Sequence, residues 1–293
     1  MFDFSSKFFC YLIAALLCGN VAVAQTTSGS YLAASSAQSQ HDYAAAARYY
    51  VQTISNDPGN LRVMTQGMSA FLAAGDVDRA LVIAKPISQS GQNIALAEFL
   101  LLAQDFRTGT FDAAFDRLNN NTIAGASIDQ MLVGWALMGQ GQVSDALMAF
   151  DEGAQVDGMR SFALYQKALA LALVGDFEGA EAIFAGDLAA PVAATLRGSL
   201  ARAQILAQLD RGADAADYLT QVHGENGDPQ AMALRARLLA GAAVDFDIVQ
   251  DASEGGGEVL FNIASALRGE NGDDGLLFYV RLATYLAPQN VHA

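Results

Sequence analysis

The sequence is poor in the residues that most often carry chemistry. It has 2 cysteines, 3 histidines, 1 tryptophan and 5 prolines in 293 residues. Cys10 and Cys18 both precede Ala24, so the chain beyond it holds no thiol nucleophile, no disulfide and no CxxC metal or redox pair. His41, His223 and His292 are far apart, and none belongs to an HExxH pattern, which removes the helical zinc site. An EF-hand loop and a GxSxG nucleophile elbow are also missing. Gly139-Gln140-Gly141 resembles the start of a phosphate loop but joins two expected helices, where a strand should lead into a helix. Basic residues are few: 16 Lys and Arg face 31 Asp and Glu, a net charge of −15, so the positive footprint that nucleic acid requires is absent. Paired carboxylates distant in sequence could still converge, but sugar platforms are scarce with Trp135 the single tryptophan. The expectation is a protein without metal or cofactor, and not an enzyme.

What is present sets the compartment first. Lys7 precedes the apolar run Phe8 to Leu17, and Ala22-Val23-Ala24 stands before Gln25. That order of charge, apolar run and small residues reads as a secretory signal peptide over 1–24, cleaved after Ala24. The run is shorter than the roughly 20 residues a membrane span needs. Leu17 before Cys18 fits poorly with the small residue expected ahead of a lipidated cysteine. A periplasmic destination follows, with outer-membrane association left open. The acidic balance suits a soluble exported protein, a basic partner being the sharper alternative. Asp245, Asp247 and Asp273-Asp274 read as solvated turn acids.

The rest of the chain repeats. Alanine recurs at Ala46, Ala80, Ala114, Ala146, Ala180 and Ala215, at intervals of 32 to 35 residues. Gly75, Gly109, Gly141 and Gly175 run in step, each followed two residues later by Val77, Phe111, Val143 or Phe177. Each glycine suits a left-handed helix terminus. Asp42, Asp76 and Asp176 stand where they could cap the next helix, a place taken by Thr110 and Gln142 in two other units. The alanine admits close helix approach, and a mostly large residue one turn later (Tyr50, Ala84, Leu118, Phe150, Phe184, Leu219) fills the space beyond.

This pattern over about 30–290 resembles the tetratricopeptide repeat, a helix–turn–helix of 34 residues with small residues at its eighth and twentieth positions. The small eighth position is only half kept (Ala34, Met68, Leu102, Gly134, Ala168, Ala203), and the closing proline appears only as Pro58 and Pro288. The resemblance implies an all-α, right-handed superhelical solenoid of about eight helix–turn–helix repeats. Six start near Thr27, Leu61, Ala95, Ser127, Ser161 and Leu196. A degenerate seventh spans Asp228 to Asp251, and an eighth starts near Gly257, with Ala264 and Ala283 in register. Glu254-Gly255-Gly256-Gly257 reads as a flexible connection or a turn before it. Residues 25–29 read as a short linker and 30–293 as the array, which resembles one that continues past its last repeat.

In this family the first helix of each pair lines the concave surface, chiefly through its second, fifth, ninth, twelfth and thirteenth positions. The resemblance therefore implies a partner-binding groove that includes Phe99, Phe106, Arg107, Met131, Trp135, Met138, Phe162 and Tyr165. The middle of that groove is apolar, aromatic and rich in methionine, suited to a partner helix or extended apolar peptide. Lys85 and Lys167 are the only lysines beyond the leader, so the lysine-rich clamp that some members close on a peptide carboxylate is missing. The leading expectation is a periplasmic scaffold holding a protein or peptide in this groove. A structural subunit of an envelope complex with a self-filled groove is the second reading, and a helical enzyme or small-ligand binder the third.

Overall fold

The computed structural model describes residues 28–187, 195–267 and 274–289. The leader, with Cys10 and Cys18, lies outside them, as does His292. All regular structure among the described residues is helical. Helix α1 covers 28–39. It is followed by α2 (Tyr43–Asn56), α3 (Leu61–Ala73), α4 (Val77–Gln89), α5 (Ala95–Arg107), α6 (Phe111–Asn120), α7 (Ala126–Gly139) and α8 (Val143–Gly153). Next come α9 (Arg160–Leu173), α10 (Phe177–Ala182) with a π-helical extension (Ile183–Asp187), α11 (Leu196–Gln208), α12 (Gly212–His223), α13 (Pro229–Leu239), α14 (Ala252–Leu267) and α15 (Asp274–Leu286).

The chain divides into two compact units, one up to Leu101 and one from Leu102 onward. In the first, α2, α3 and α4 pack in sequence. In the second, successive hairpins pack as α7 with α8, α9 with α10 and α11 with α12. This is the all-α solenoid architecture that the repeat implies.

The repeat positions explain the local structure. Gly75, Gly109, Gly141 and Gly175 all take positive φ, between 71° and 85°, where a side chain would be strained. The carboxylates of Asp42, Asp76 and Asp176 accept from the backbone N–H of Ala45, Arg79 and Gly179 at 2.9, 3.1 and 2.9 Å. Thr110 and Gln142, at the same station, make no such cap bond. The six register alanines are each 0% exposed, in keeping with close helix packing at that station. Asp76→Ala is expected to lower the unfolding free energy by about 1 kcal/mol, the usual cost of a lost N-cap. Urea denaturation of the purified protein would measure it, and an unchanged midpoint would deny the cap any weight.

Two expectations are corrected toward the C-terminus. The degenerate seventh unit contributes α13 but no second helix: residues 240–251 form an irregular strap. The strap is pinned, since Asp247 N donates to Gln204 Oε1 at 3.0 Å and Arg197 Nη2 donates to Ile248 O at 3.0 Å. Its own Val244, Ile248 and Val249 are buried. Then Glu254 to Gly257, expected as a connection, turns out to lie inside α14. Asp251 Oδ1 accepts from Glu254 N and Glu254 Oε2 accepts from Gln250 N, both at 2.8 Å, so acids at both stations close the helix start. Three successive glycines cost about 0.8–1 kcal/mol each against alanine in a helix interior. Packing must therefore hold α14 in place, and its neighbours show how.

Candidate functional site

Helix α14 lies on the first helices of the hairpins, packed chiefly against α7 and then α9, with α15 on its other side. A Cβ on Gly255 would collide with the Trp135 indole. One on Gly256 would stand 3.1 Å from Phe106 Cδ1, and one on Gly257 3.2 Å from Ala283 O of α15. Each glycine thus marks a close approach to a different neighbour. The glycine run, read in the sequence as slack, is what allows a helix to sit between the aromatic face and α15.

A buried polar cluster fixes the helix along its length. Glu258 is one turn from Gly255, on the same stripe of α14, and is 1% exposed. Its Oε1 accepts from Tyr165 Oη at 2.9 Å, and its Oε2 accepts from Arg197 Nε at 2.6 Å. Asn262, one turn further, donates through Nδ2 to Glu258 O at 2.8 Å and to Glu258 Oε1 at 3.2 Å. Burial and the adjacent Glu258 charge push the Tyr165 phenol well above its ordinary value, so it stays protonated as a donor. Burial alone would lower the Arg197 guanidinium, but Glu258 and Tyr165 outweigh it and leave the group raised and charged.

The eight residues expected to face a partner divide accordingly. Trp135 and Tyr165 are fully buried; Phe106, Met131, Phe99 and Met138 are buried as well. Phe162 is half-buried and Arg107 is exposed. Trp135 also packs edge-on against Phe150 and donates through Nε1 to Gln166 Oε1 at 2.8 Å. Met131 lies toward α8, its Cγ 3.9 Å from where a Cβ on Gly153 would be. Phe99 belongs to the first unit, the others to the second. The structure therefore gathers Phe106, Trp135 and Tyr165 around α14. Phe106, Arg107 and Met138 meet again in an open cavity of about 510 Å³, beside Gln250 to Ser253 at the start of α14. Arg107 also lies over the Tyr285 ring, 6.0 Å from its centroid.

Residue-type reasoning missed Arg197 and Glu258, because the charged residues that hold α14 are separated by 61 positions. The spacing of Gly255 and Glu258 was the available signal, and it was masked by reading the glycines as a connection.

Three other buried or half-buried polar groups make structural contacts. Asp129, 7% exposed, accepts from the backbone N–H of Ile123 and Ala124 at 2.9 Å each, and burial raises it in spite of those bonds. Glu181 pairs with Arg202 at 2.9 Å. Ser199 Oγ lies 2.6 Å from His223 Nε2 and donates to Leu196 O at 2.8 Å, with Ser199 0% exposed. Among the described residues, no group of three or more His, Cys, Asp or Glu is placed to hold a metal ion, and no helix is long and apolar enough to cross a membrane.

No protein-family model matches the sequence, and no curated protein does. Among solved structures, the chain is similar to a tetratricopeptide repeat protein from Parabacteroides merdae, with a TM-score of 0.59 and 15% identity. The match covers 89% of this chain and 99% of that one. A likeness at that identity concerns the fold.

Proposed function

We propose that this chain, built on the tetratricopeptide fold, is an exported protein-interaction scaffold with no catalytic activity, working in the periplasm through its helical surfaces. One observation carries the reading: the aromatic face of the first helices accommodates a helix, and the helix there is the chain's own α14. Such a face has the apolar anchors and the isolated polar contacts that helix-in-groove recognition uses. The leader supports the compartment. A second reading is favoured by the complete burial of Trp135 and Tyr165. In it the groove is permanent core, and the chain is a structural subunit that meets its partners through outer faces such as that of α8, where Met148 is 57% exposed.

Site-specific photocrosslinking in the native envelope separates the two. A crosslinking residue at position 107, on the rim of the cavity, is expected to capture a distinct protein, while one at position 148 captures none. Crosslinks from 148 alone would establish the structural-subunit reading in its place. No crosslinked species from either position would sink the scaffold reading.

A further inference from the structure

The helix that fills the groove also specifies what the groove selects. Across its contact stripe, α14 offers small residues where Trp135 and Phe106 leave no room for a Cβ or almost none, then a carboxylate one turn later. That carboxylate meets the Arg197 guanidinium, together with the Tyr165 hydroxyl. The neighbouring Gln166 is fully buried, with its Oε1 on Trp135 and its Nε2 without a hydrogen-bond partner. The groove therefore reads a small–small–x–Glu sequence on a helix, and the helix in it is intrinsically weak because the same small residues are glycines.

We propose that this groove is a recognition site for a partner helix carrying two adjacent small residues followed, three positions after the first, by a glutamate, and that α14 is its internal competitor. In the resting chain α14 occupies the site and keeps it closed. A partner helix with alanine or serine at the x station, which corresponds to Gly257 and faces α15 and not Trp135 or Phe106, forms a firmer helix and exchanges with α14, exposing α14 and α15 as a pair. Charge complementarity sets the polarity: Arg197 and the Tyr165 donor accept a carboxylate and reject a lysine or arginine at that station. The inference rests on the scaffold reading and adds the chemistry of the partner.

The test uses the full mature chain and a labelled peptide of residues 250–267. In the Gly255→Leu chain, the leucine side chain cannot coexist with the Trp135 indole, so α14 is expelled and the groove opens. The peptide is expected to bind this variant at least about tenfold more tightly than the unsubstituted chain, by fluorescence anisotropy, because no internal helix competes. Peptides carrying Glu258→Lys or Gly255→Leu should lose at least about tenfold against the same variant. A folded variant, helical by circular dichroism, that fails to bind the peptide overturns the proposal, as does equal binding of the Glu258→Lys peptide. Should Gly255→Leu prevent folding, hydrogen exchange on the unsubstituted chain decides. The amides of α14 exchanging together and well ahead of those in α7 and α9 support an exchangeable helix; equal protection in all three makes α14 permanent core and overturns it. Failure here with crosslinks still forming at position 107 would leave the scaffold reading in place and remove only the exchange of α14 for a partner helix.

Discussion

Glu258→Ala is expected to lower the unfolding free energy of the second unit by about 3–5 kcal/mol, the usual cost of removing one member of a buried ion pair. The loss comes mainly from what stays behind. Arg197, with its side chain 12% exposed, keeps only part of its partners, and the buried Tyr165 hydroxyl loses its acceptor. Glu258→Gln separates charge from hydrogen bonding, since it retains an acceptor for Tyr165 and removes the pair with Arg197; it should cost less. Replacing both members by Arg197→Met and Glu258→Leu should recover much of the loss, as apolar substitutes for buried ion pairs often do. Trp135, the one tryptophan in the sequence, gives a fluorescence probe inside the affected face. A loss below about 1 kcal/mol for Glu258→Ala, the range of exposed pairs, would mean that the cluster is solvated and does not hold α14.

Trp135→Ala is the second large effect, about 3–5 kcal/mol. The indole is 0% exposed and fills the space among Gly255, Phe150 and Gln166. Gly255 has no side chain to move into the resulting hole, so the cavity term adds to the lost transfer energy. The substitution also strips Gln166 of its remaining hydrogen-bond partner while that side chain stays buried. Trp135→Phe keeps most of the packing and loses the N–H, and should fall between the variant and the parent chain. Urea unfolding followed by far-ultraviolet circular dichroism reads both. An Ala variant as stable as the parent would show that the face around Trp135 is loosely occupied.

The fold was legible because its repeat is enforced at positions with one physical solution each. An alanine such as Ala146 lies where two helices leave no more room, and a glycine such as Gly141 where φ is 77°. Period and spacing record these requirements directly. The content of the groove was legible only in part. Phe106, Trp135 and Tyr165 could be placed on the first helices from the register, but the register does not say what covers them. Their cover is supplied by a helix whose glycines look like a loop in a propensity reading, because contacts 93 residues away along the chain, as between Tyr165 and Glu258, override local preference. Met131 was placed on the correct helix but lies toward α8, since the inner and hairpin faces of a buried helix carry similar apolar residues.

The missing second helix of the seventh unit has a consequence in time as well as in space. A regular array could complete each hairpin against the one before it, using contacts close in sequence. Here the strap after α13 sends the chain back to helices made about a hundred residues earlier, so the pair α14 and α15 completes the packing of α7 and α9. Contacts that close such long loops form late and slow the whole process. As the chain emerges from its N-terminus, Phe106, Trp135 and Tyr165 stay uncovered until residues 252–267 arrive. A large aromatic surface is thus shielded only late in synthesis, and newly made molecules cut short before α14 would carry it bare.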